Sequence, residues 1–148
     1  MNEHTILLVE DDKNDVFFFQ RAMEKAGLTC PLRIARDGGE AIDYLSGIGT
    51  FADRVRFPLP CMVLLDLNLP RQHGLEVLQW IRGHAPDPAV PVIVLTSSTL
   101  DRDVREAYRL GANSYLSKPS GSEDLVALVR MLGAYWFQYN RLPPPEVK

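Results

Sequence analysis

Four short apolar runs in this 148-residue chain end in side chains able to handle a charged oxygen anion. Glu10, Asp11 and Asp12 follow Ile6–Val9; Asp66 follows Met62–Leu65; Thr96 and Ser97 follow Val92–Leu95; Lys118 and Pro119 follow Ser114–Ser117. Any one of these is an ordinary cap or turn residue. Acid, acid, hydroxyl and ammonium at four run ends form a complementary set, and a common site explains them better than four separate turns. Carboxylates brought together repel and burial raises their pKa, so they stay ionised only beside a compensating cation. Oxygen-only ligands select a hard ion, and Mg2+ prefers a few carboxylates completed by water and phosphoryl oxygens. Asp11 and Asp66 are expected to ligate it directly, with Glu10 or Asp12 acting through water. Such a site suits phosphoryl transfer: Asp66 attacks phosphorus, Mg2+ and the Lys118 ammonium neutralise the equatorial oxygens, and the Thr96 hydroxyl donates a further hydrogen bond.

The elements that must carry these groups follow from the hydrophobic pattern. Runs rich in Val, Ile and Leu alternate with helix-period segments, the signature of βαβ units and a parallel sheet. Strands are expected at Thr5–Glu10, Leu32–Arg36, Met62–Asp66, Val92–Thr96 and Ser114–Ser117, and helices near 14–26, 38–46, 74–83, 101–110 and 121–139. The middle strands are apolar on both faces, as strands covered by helices on both sides must be. The fold class is α/β, a doubly wound five-stranded parallel sheet, in which functional groups collect at the carboxyl ends of the strands. Gly27 and Gly111 are expected as left-handed caps. Residues 47–61 make a connection longer than an αβ loop usually is, read as an elaboration or a binding loop. The proline run Pro143–Pro145 cannot be helical and is expected to be extended polyproline, so residues 1–139 read as the domain and 140–148 as a tail.

Composition narrows the class further. Apolar residues make up 46% and charged residues 24%, which excludes disordered, collagen-like and coiled-coil chains. A net charge of -3 offers no general attraction to a phosphate backbone, so nucleic acid is not expected as a direct partner. No apolar stretch reaches the ~18 residues that span a bilayer, and MNEHTILLVEDD lacks the basic segment and apolar core of an export signal. Membrane association is not expected. Cys30 and Cys61 begin apolar runs and match no metal spacing, so they read as reduced core residues and point to a cytoplasmic location. His4, His73 and His84 are assigned no role. Gly38-Gly39 reads as a turn, because no Gly-x-x-x-x-Gly-Lys-[Ser/Thr] follows any strand.

The runs ILLVEDD (Ile6–Asp12), VLLDLNLPRQHGLEVL (Val63–Leu78), PVIVLTSS (Pro91–Ser98) and GANSYLSKP (Gly111–Pro119) resemble the receiver domain of two-component response regulators. The resemblance covers about residues 5–132 and implies the flavodoxin-like, CheY-like (βα)5 fold with an extended C-terminal helix and tail. It implies that Asp66 is the phosphoacceptor, that Glu10 and Asp11 are the acidic pair, and that the Asn68 backbone carbonyl completes the Mg2+ ligands. It further implies that Thr96 moves to the phosphoryl oxygen, that Tyr115 swings inward behind it as a switch, and that Lys118 pairs with the phosphoryl group across a cis peptide to Pro119. From pattern alone Tyr115 reads as an ordinary half-buried tyrosine. The acidic pair is Glu-Asp rather than the family's Asp-Asp, a change that lengthens one arm and leaves the direct ligand, Asp11, in place, so Mg2+ dependence is expected to survive. Asn68 and Ser98 fall at family positions that flank the approach of water, and so are candidates for setting the phosphoryl lifetime.

Two other function classes compete. A haloacid-dehalogenase-like phosphatase would carry Asp-x-Asp after its nucleophilic strand, but Asp66-Leu67-Asn68 lacks the second acid. A receiver-like interaction module that is never phosphorylated usually lacks one of the acidic, acceptor or Lys residues, and none is missing here. The few residues after the match hold no helix-turn-helix domain, so a stand-alone receiver is expected. It catalyses only its own phosphorylation and dephosphorylation and works through protein contacts. The loop at 47–61 and the segment AYWFQYNRLPPP resemble single-domain regulators associated with phytochromes, which implies a photoreceptor histidine kinase as donor.

Two partner surfaces are expected. Val16, Phe17, Phe18 and Phe19 sweep roughly 300° of a helix, so they cannot all face one core stripe. Phe18, Phe19, Ala22, Met23 and Ala26 are assigned to the apolar face, leaving Phe17 with Gln20, Arg21 and Glu24 on the polar face, where it would meet the kinase. In the last helix Leu125, Leu128, Val129 and Leu132 suit the sheet, and Met131, Tyr135, Trp136, Phe137 and Tyr139 exceed what one sheet face needs. That surplus implies a homodimer, unless Leu142 and the proline run fold back over it.

Overall fold

The computed structural model describes residues 4–144; the start at Met1–Glu3 and the last tail residues, 145–148, lie outside the described residues. Four-residue strands β1 (Ile6–Val9), β2 (Leu32–Ala35), β3 (Met62–Leu65) and β5 (Ser114–Ser117), with β4 (Val92–Thr96), form one parallel sheet in the order β2-β1-β3-β4-β5. Helices α1 (Lys13–Ala26), α2 (Gly38–Ser46), α3 (Gly74–His84), α4 (Asp101–Arg109) and α5 (Ser122–Gly133) connect and close it. The expected α/β fold is present. The ladder releases the chain after Val9 and Leu65, one residue earlier than expected, so Glu10 and Asp66 stand just beyond the strands with side chains free of the pleat.

The period of two in the strands sorts the core into two halves. Leu7, Val9, Val63, Leu65, Val92 and Val94 face Tyr44 of α2, Leu78 and Ile81 of α3 and Ala107 of α4. Ile6, Leu8, Met62, Leu64, Ile93 and Leu95 face Phe19 and Met23 of α1 and Val129 and Leu132 of α5. Both neighbours of β1 are in register with it, Ile6 lying beside Leu32 and Met62 and Val9 beside Ala35 and Leu65. Each fully buried aliphatic side chain contributes roughly 1.5–3 kcal/mol relative to exposure, an upper figure against a compact unfolded chain.

Helix ends are set by side chains. Asp12 caps α1, its carboxylate accepting the N–H groups of Asn14 and Asp15 at 2.8 and 3.2 Å. Asp37 caps α2 in the same way through Glu40 N–H at 2.8 Å. His73 caps α3 through Nδ1, which accepts from Leu75 N–H at 3.1 Å, a role its isolation in the sequence did not announce. Gly27 is the left-handed cap expected, at φ 75°, and Gly111 likewise has positive φ, one residue beyond the C-cap Leu110.

The connection 47–61 is an elaboration, one of the two readings expected of it: it contains a 3-10 turn at Gly49–Ala52, packs Phe51 and Phe57 on Tyr44, and sends Arg54 back to cap α2. The Arg54 guanidinium donates to the carbonyls of Tyr44 and Leu45 at 2.8 Å and of Phe57 at 3.1 Å, satisfying acceptors that a helix end leaves open. Other local expectations are corrected. The helix expected over 121–139 is regular only to Gly133 and widens into a π-turn at Ala134–Tyr139. Trp136 is buried in the α1/α5 core and Phe137 stacks on His4 at 5.1 Å, so neither belongs to an exposed patch; Leu142 packs on the same core, as the fold-back alternative anticipated. No peptide among the described residues is cis, so Lys118–Pro119 is trans, the form an X-Pro bond favours where no turn overrides it. Finally, Phe18 is as exposed as Phe17, both at 51%, because the buried stripe of α1 runs through Val16, Phe19, Ala22 and Met23 and puts Phe18 on its shoulder.

One glycine fixes the distance between α3 and the end of β3. Gly74 N–H donates to the Leu67 carbonyl at 3.0 Å, and a β-carbon at position 74 would stand 2.7 Å from Leu67 Cα while striking the Asp66 carbonyl oxygen. Gly74→Ala is therefore expected to destabilise by about 1–3 kcal/mol, the usual cost of overpacking. Gly83→Ala, also in α3 but with open space around it, is expected to be neutral or stabilising by about 0.5–1 kcal/mol. Denaturant unfolding of the two variants beside the wild type reads the contrast; equal midpoints would contradict it.

Candidate functional site

The ends of β1 and β3 bring Glu10, Asp11 and Asp66 together, with one oxygen of each lying within 4.8 Å of the others. Glu10 and Asp66 are buried and Asp11 is exposed, so the trio opens to solvent on one side. Lys118 enters from the loop after β5. Its Nζ stands 2.7 Å from Glu10 Oε1, 2.8 Å from Asp15 Oδ2 and 3.1 Å from Asp66 Oδ2. The second oxygens of Glu10 and Asp66 also have donors: Glu10 Oε2 accepts Asp12 N–H, and Asp66 Oδ1 accepts Asn68 N–H, each at 3.2 Å.

The electrostatics are those of an acid-rich site with one internal cation. Burial pushes the Glu10 carboxyl up to about 7, the Asp66 charge adds to this, and the Lys118 hydrogen bond only partly offsets it. Burial also opposes the Lys118 charge, but hydrogen bonds to Asp15 and Glu10 and the charge of Asp66 outweigh it and raise the lysine above its ordinary value. Lys118 is thus a fixed cation shared by three carboxylates, with Asp11 a fourth acid beside Glu10 and Asp66. Such a deficit fits a second, hard cation held by carboxylate oxygens, which would return Glu10 to its ionised form.

Thr96 ends β4, fully buried, with Oγ1 accepting Ser98 N–H at 3.4 Å. Tyr115 on β5 is half-buried and its hydroxyl donates to the Ser98 carbonyl at 3.0 Å, while Ser98 Oγ donates to Asp103 Oδ2 at 2.6 Å. Thr96, Ser98 and Tyr115 therefore form one linked group at the start of α4. Asn68 is exposed beside Asp66. Asp12, a water-mediated ligand in one expectation, instead spends its carboxylate on capping α1. Phe17, with the Arg21 guanidinium over its ring at 5.7 Å, and Tyr135 and Tyr139 are exposed on the surface and have no hydrogen bond to the acids among the described residues.

Asp15 is the residue of the site that sequence reasoning missed. Its only signal is an acid in the first turn of a helix, which helix-dipole effects explain without reference to any site. Beside it, Phe18 and Leu125 wall a groove of about 350 Å³ between α1 and the start of α5, with Lys118 and Pro119 at its inner end.

This geometry has close counterparts. The response regulator receiver domain family matches residues 6–130. The probable methanogenesis regulatory protein FilR2 of Methanothrix harundinacea is 45% identical over 95% of this chain and 88% of its own length. The response regulator Rcp1 of Synechocystis is 37% identical over 93% of this chain and 92% of its own length. The solved Mn2+-bound form of Rcp1 superposes with a TM-score of 0.84, covering 95% of this chain and 99% of that one at 36% identity. The phosphorylated cyanobacterial phytochrome response regulator RcpA superposes with a TM-score of 0.88 at 33% identity, covering 97% of this chain and all of that one. With its five-stranded parallel sheet, its acidic trio at the strand ends and its lysine after the last strand, this chain belongs to the response regulator receiver domain family and has the CheY-like, flavodoxin-like fold.

Proposed function

We propose that the protein is a response regulator that accepts a phosphoryl group on Asp66 from a histidine kinase. The observation that carries this is the placement of Asp66 within reach of both Lys118 Nζ and the acids Glu10 and Asp11. An Asp66 carboxylate oxygen forms a bond to phosphorus as the P–N bond of the kinase phosphohistidine breaks, and the imidazole nitrogen leaves with the electron pair. Glu10, Asp11, Asp66 and the Asn68 carbonyl would hold Mg2+, which would neutralise charge on the phosphoryl oxygens. Lys118 pairs with a phosphoryl oxygen and Thr96 donates its hydroxyl to another. When Thr96 Oγ1 turns toward the phosphoryl group it leaves Ser98 N–H, and Tyr115, tied to the same Ser98 backbone, follows inward. Asn68 and Ser98 flank the path of hydrolytic water and set the phosphoryl lifetime. The protein acts only on its own phosphoryl group and has no other substrate.

The donor is a phytochrome-type kinase, a reading supported by the likeness to RcpA over nearly the whole chain. The protein works in the cytoplasm through protein contacts, without nucleic acid or membrane; no helix among the described residues is long and apolar enough to cross a membrane. Residues 1–139 are the signalling unit and 140–148 the tail. Phe17, joined by Phe18, meets the kinase. A homodimer forms along the outer side of the last helix, where Met131, Tyr135 and Tyr139 are exposed at 47%, 50% and 78%, and buried Trp136 and half-buried Phe137 support that surface from beneath.

Three results are expected. Asp66→Asn abolishes labelling by acetyl phosphate and by kinase, and Asp11→Asn removes the Mg2+ requirement together with most of the rate; undiminished labelling of Asp66→Asn would sink the assignment. Phe17→Glu slows transfer from the kinase and leaves acetyl phosphate labelling unchanged, whereas equal effects on both reactions count against docking there. Because Trp136 is a core residue, truncation after Gly133 would damage the fold, and the dimer is better tested with Tyr135→Glu/Tyr139→Glu. Sedimentation is expected to give a dimer for the wild type and a monomer for the double variant; a wild type that is monomeric with and without beryllofluoride refutes the dimer.

A further inference from the structure

Lys118 has three N–H donors, and three carboxylates occupy them. The ammonium therefore cannot donate to an arriving phosphoryl oxygen without leaving a partner. The three partners are not equivalent in burial: the side chains of Glu10 and Asp66 are 3% and 6% exposed, and that of Asp15 is 41% exposed. Losing Glu10 leaves a desolvated, unpaired carboxylate, whereas the contact to Asp66 passes to the phosphoryl oxygens as its carboxylate becomes the acyl phosphate. Releasing a half-exposed carboxylate lets water replace the ammonium at little cost. Asp15 faces the groove beside Phe18, so water has access to it once the bond opens. It is not one of the three acids, Glu10, Asp11 and Asp66, whose oxygens gather within 4.8 Å of one another and would hold a metal ion.

We propose that Asp15 is a positioning residue that competes with the phosphoryl group for Lys118 and so acts as a built-in brake on occupation of Asp66. This rests on Asp66 being the phosphoacceptor. In the resting protein Asp15 holds the ammonium, and after phosphorylation its carboxylate competes with the phosphoryl oxygens for the same N–H donors. The negative charge of Asp15 also stays close to the anion that has taken its place.

Asp15→Asn removes the charge at nearly constant shape, and it leaves the helix cap intact, because Asp12 accepts the backbone N–H of residue 15 and not its side chain. With saturating Mg2+, beryllofluoride bound at Asp66 is followed by 19F NMR and calorimetric titration. Asp15→Asn is expected to bind it about two- to five-fold more tightly than the wild type, the range of a half-exposed ion pair, and to label faster with acetyl phosphate. Asp15→Glu, which restores the charge, is expected to return affinity toward the wild-type value. General loosening of the site would instead weaken beryllofluoride and Mg2+ binding together. Unchanged or weaker beryllofluoride binding in Asp15→Asn overturns the brake while leaving Asp66 as acceptor. Wild-type binding that persists in Asp66→Asn overturns both the brake and the reading beneath it.

Discussion

Everything in the site depends on a single ammonium held between two strand ends. Lys118 closes the gap between Glu10 after β1 and Asp66 after β3, two buried acids that would otherwise repel across neighbouring strands. A buried ion pair is a weak source of stability, since desolvation consumes most of the attraction. Its value here lies in specification: the lysine sets how far apart the carboxylates stand, and the residual excess of negative charge makes the site a receptor for further cations.

The scaffold converts that local arrangement into a fixed geometry. β1 and β3 are buried on both faces, so neither strand can slide without carrying a full row of Leu and Val side chains out of the core. Close approach of α3 through Gly74 holds the backbone immediately after Asp66 from the other side. Away from the acids, Thr96, Ser98, Asp103 and Tyr115 are joined by single hydrogen bonds around the start of α4, with Thr96 fully buried and Tyr115 packed on the α2/α3/α4 half of the core.

The fold and the central site were legible because both are written in local pattern. Doubly apolar runs ending in Asp, Thr or Lys announce strands and the edge at which their last residues meet, and no tertiary detail is needed to see that Asp66 and Lys118 face one another. What escaped detection depends on rotation about helices and on distant packing. Asp15 reaches Lys118 across 103 residues, and nothing in the first turn of α1 encodes that contact. Phe18 differs from Phe19 by one step around the same helix, and apolar composition cannot say which of the two faces inward. The Arg54 clamp looked like a loop because its partners are backbone carbonyls, which every sequence possesses. Trp136 looked like surface because the helix was assumed regular, whereas the π-turn re-aims its last residues.

The two halves of the core are completed at very different moments of synthesis. The α2/α3/α4 half is assembled from residues no later than Tyr115, but the other half remains open until Val129, Leu132 and Trp136 have been made. At typical elongation speeds of 5–20 residues per second, the interval from Met62 to Trp136 lasts about 4–15 s. Throughout it, Ile6, Leu8, Met62 and Leu64 lack their final cover on the nascent chain. The final helix is thus the closing step of folding as well as a surface of the finished protein, and any premature stop before Trp136 leaves an apolar sheet face as a target for chaperones and proteases.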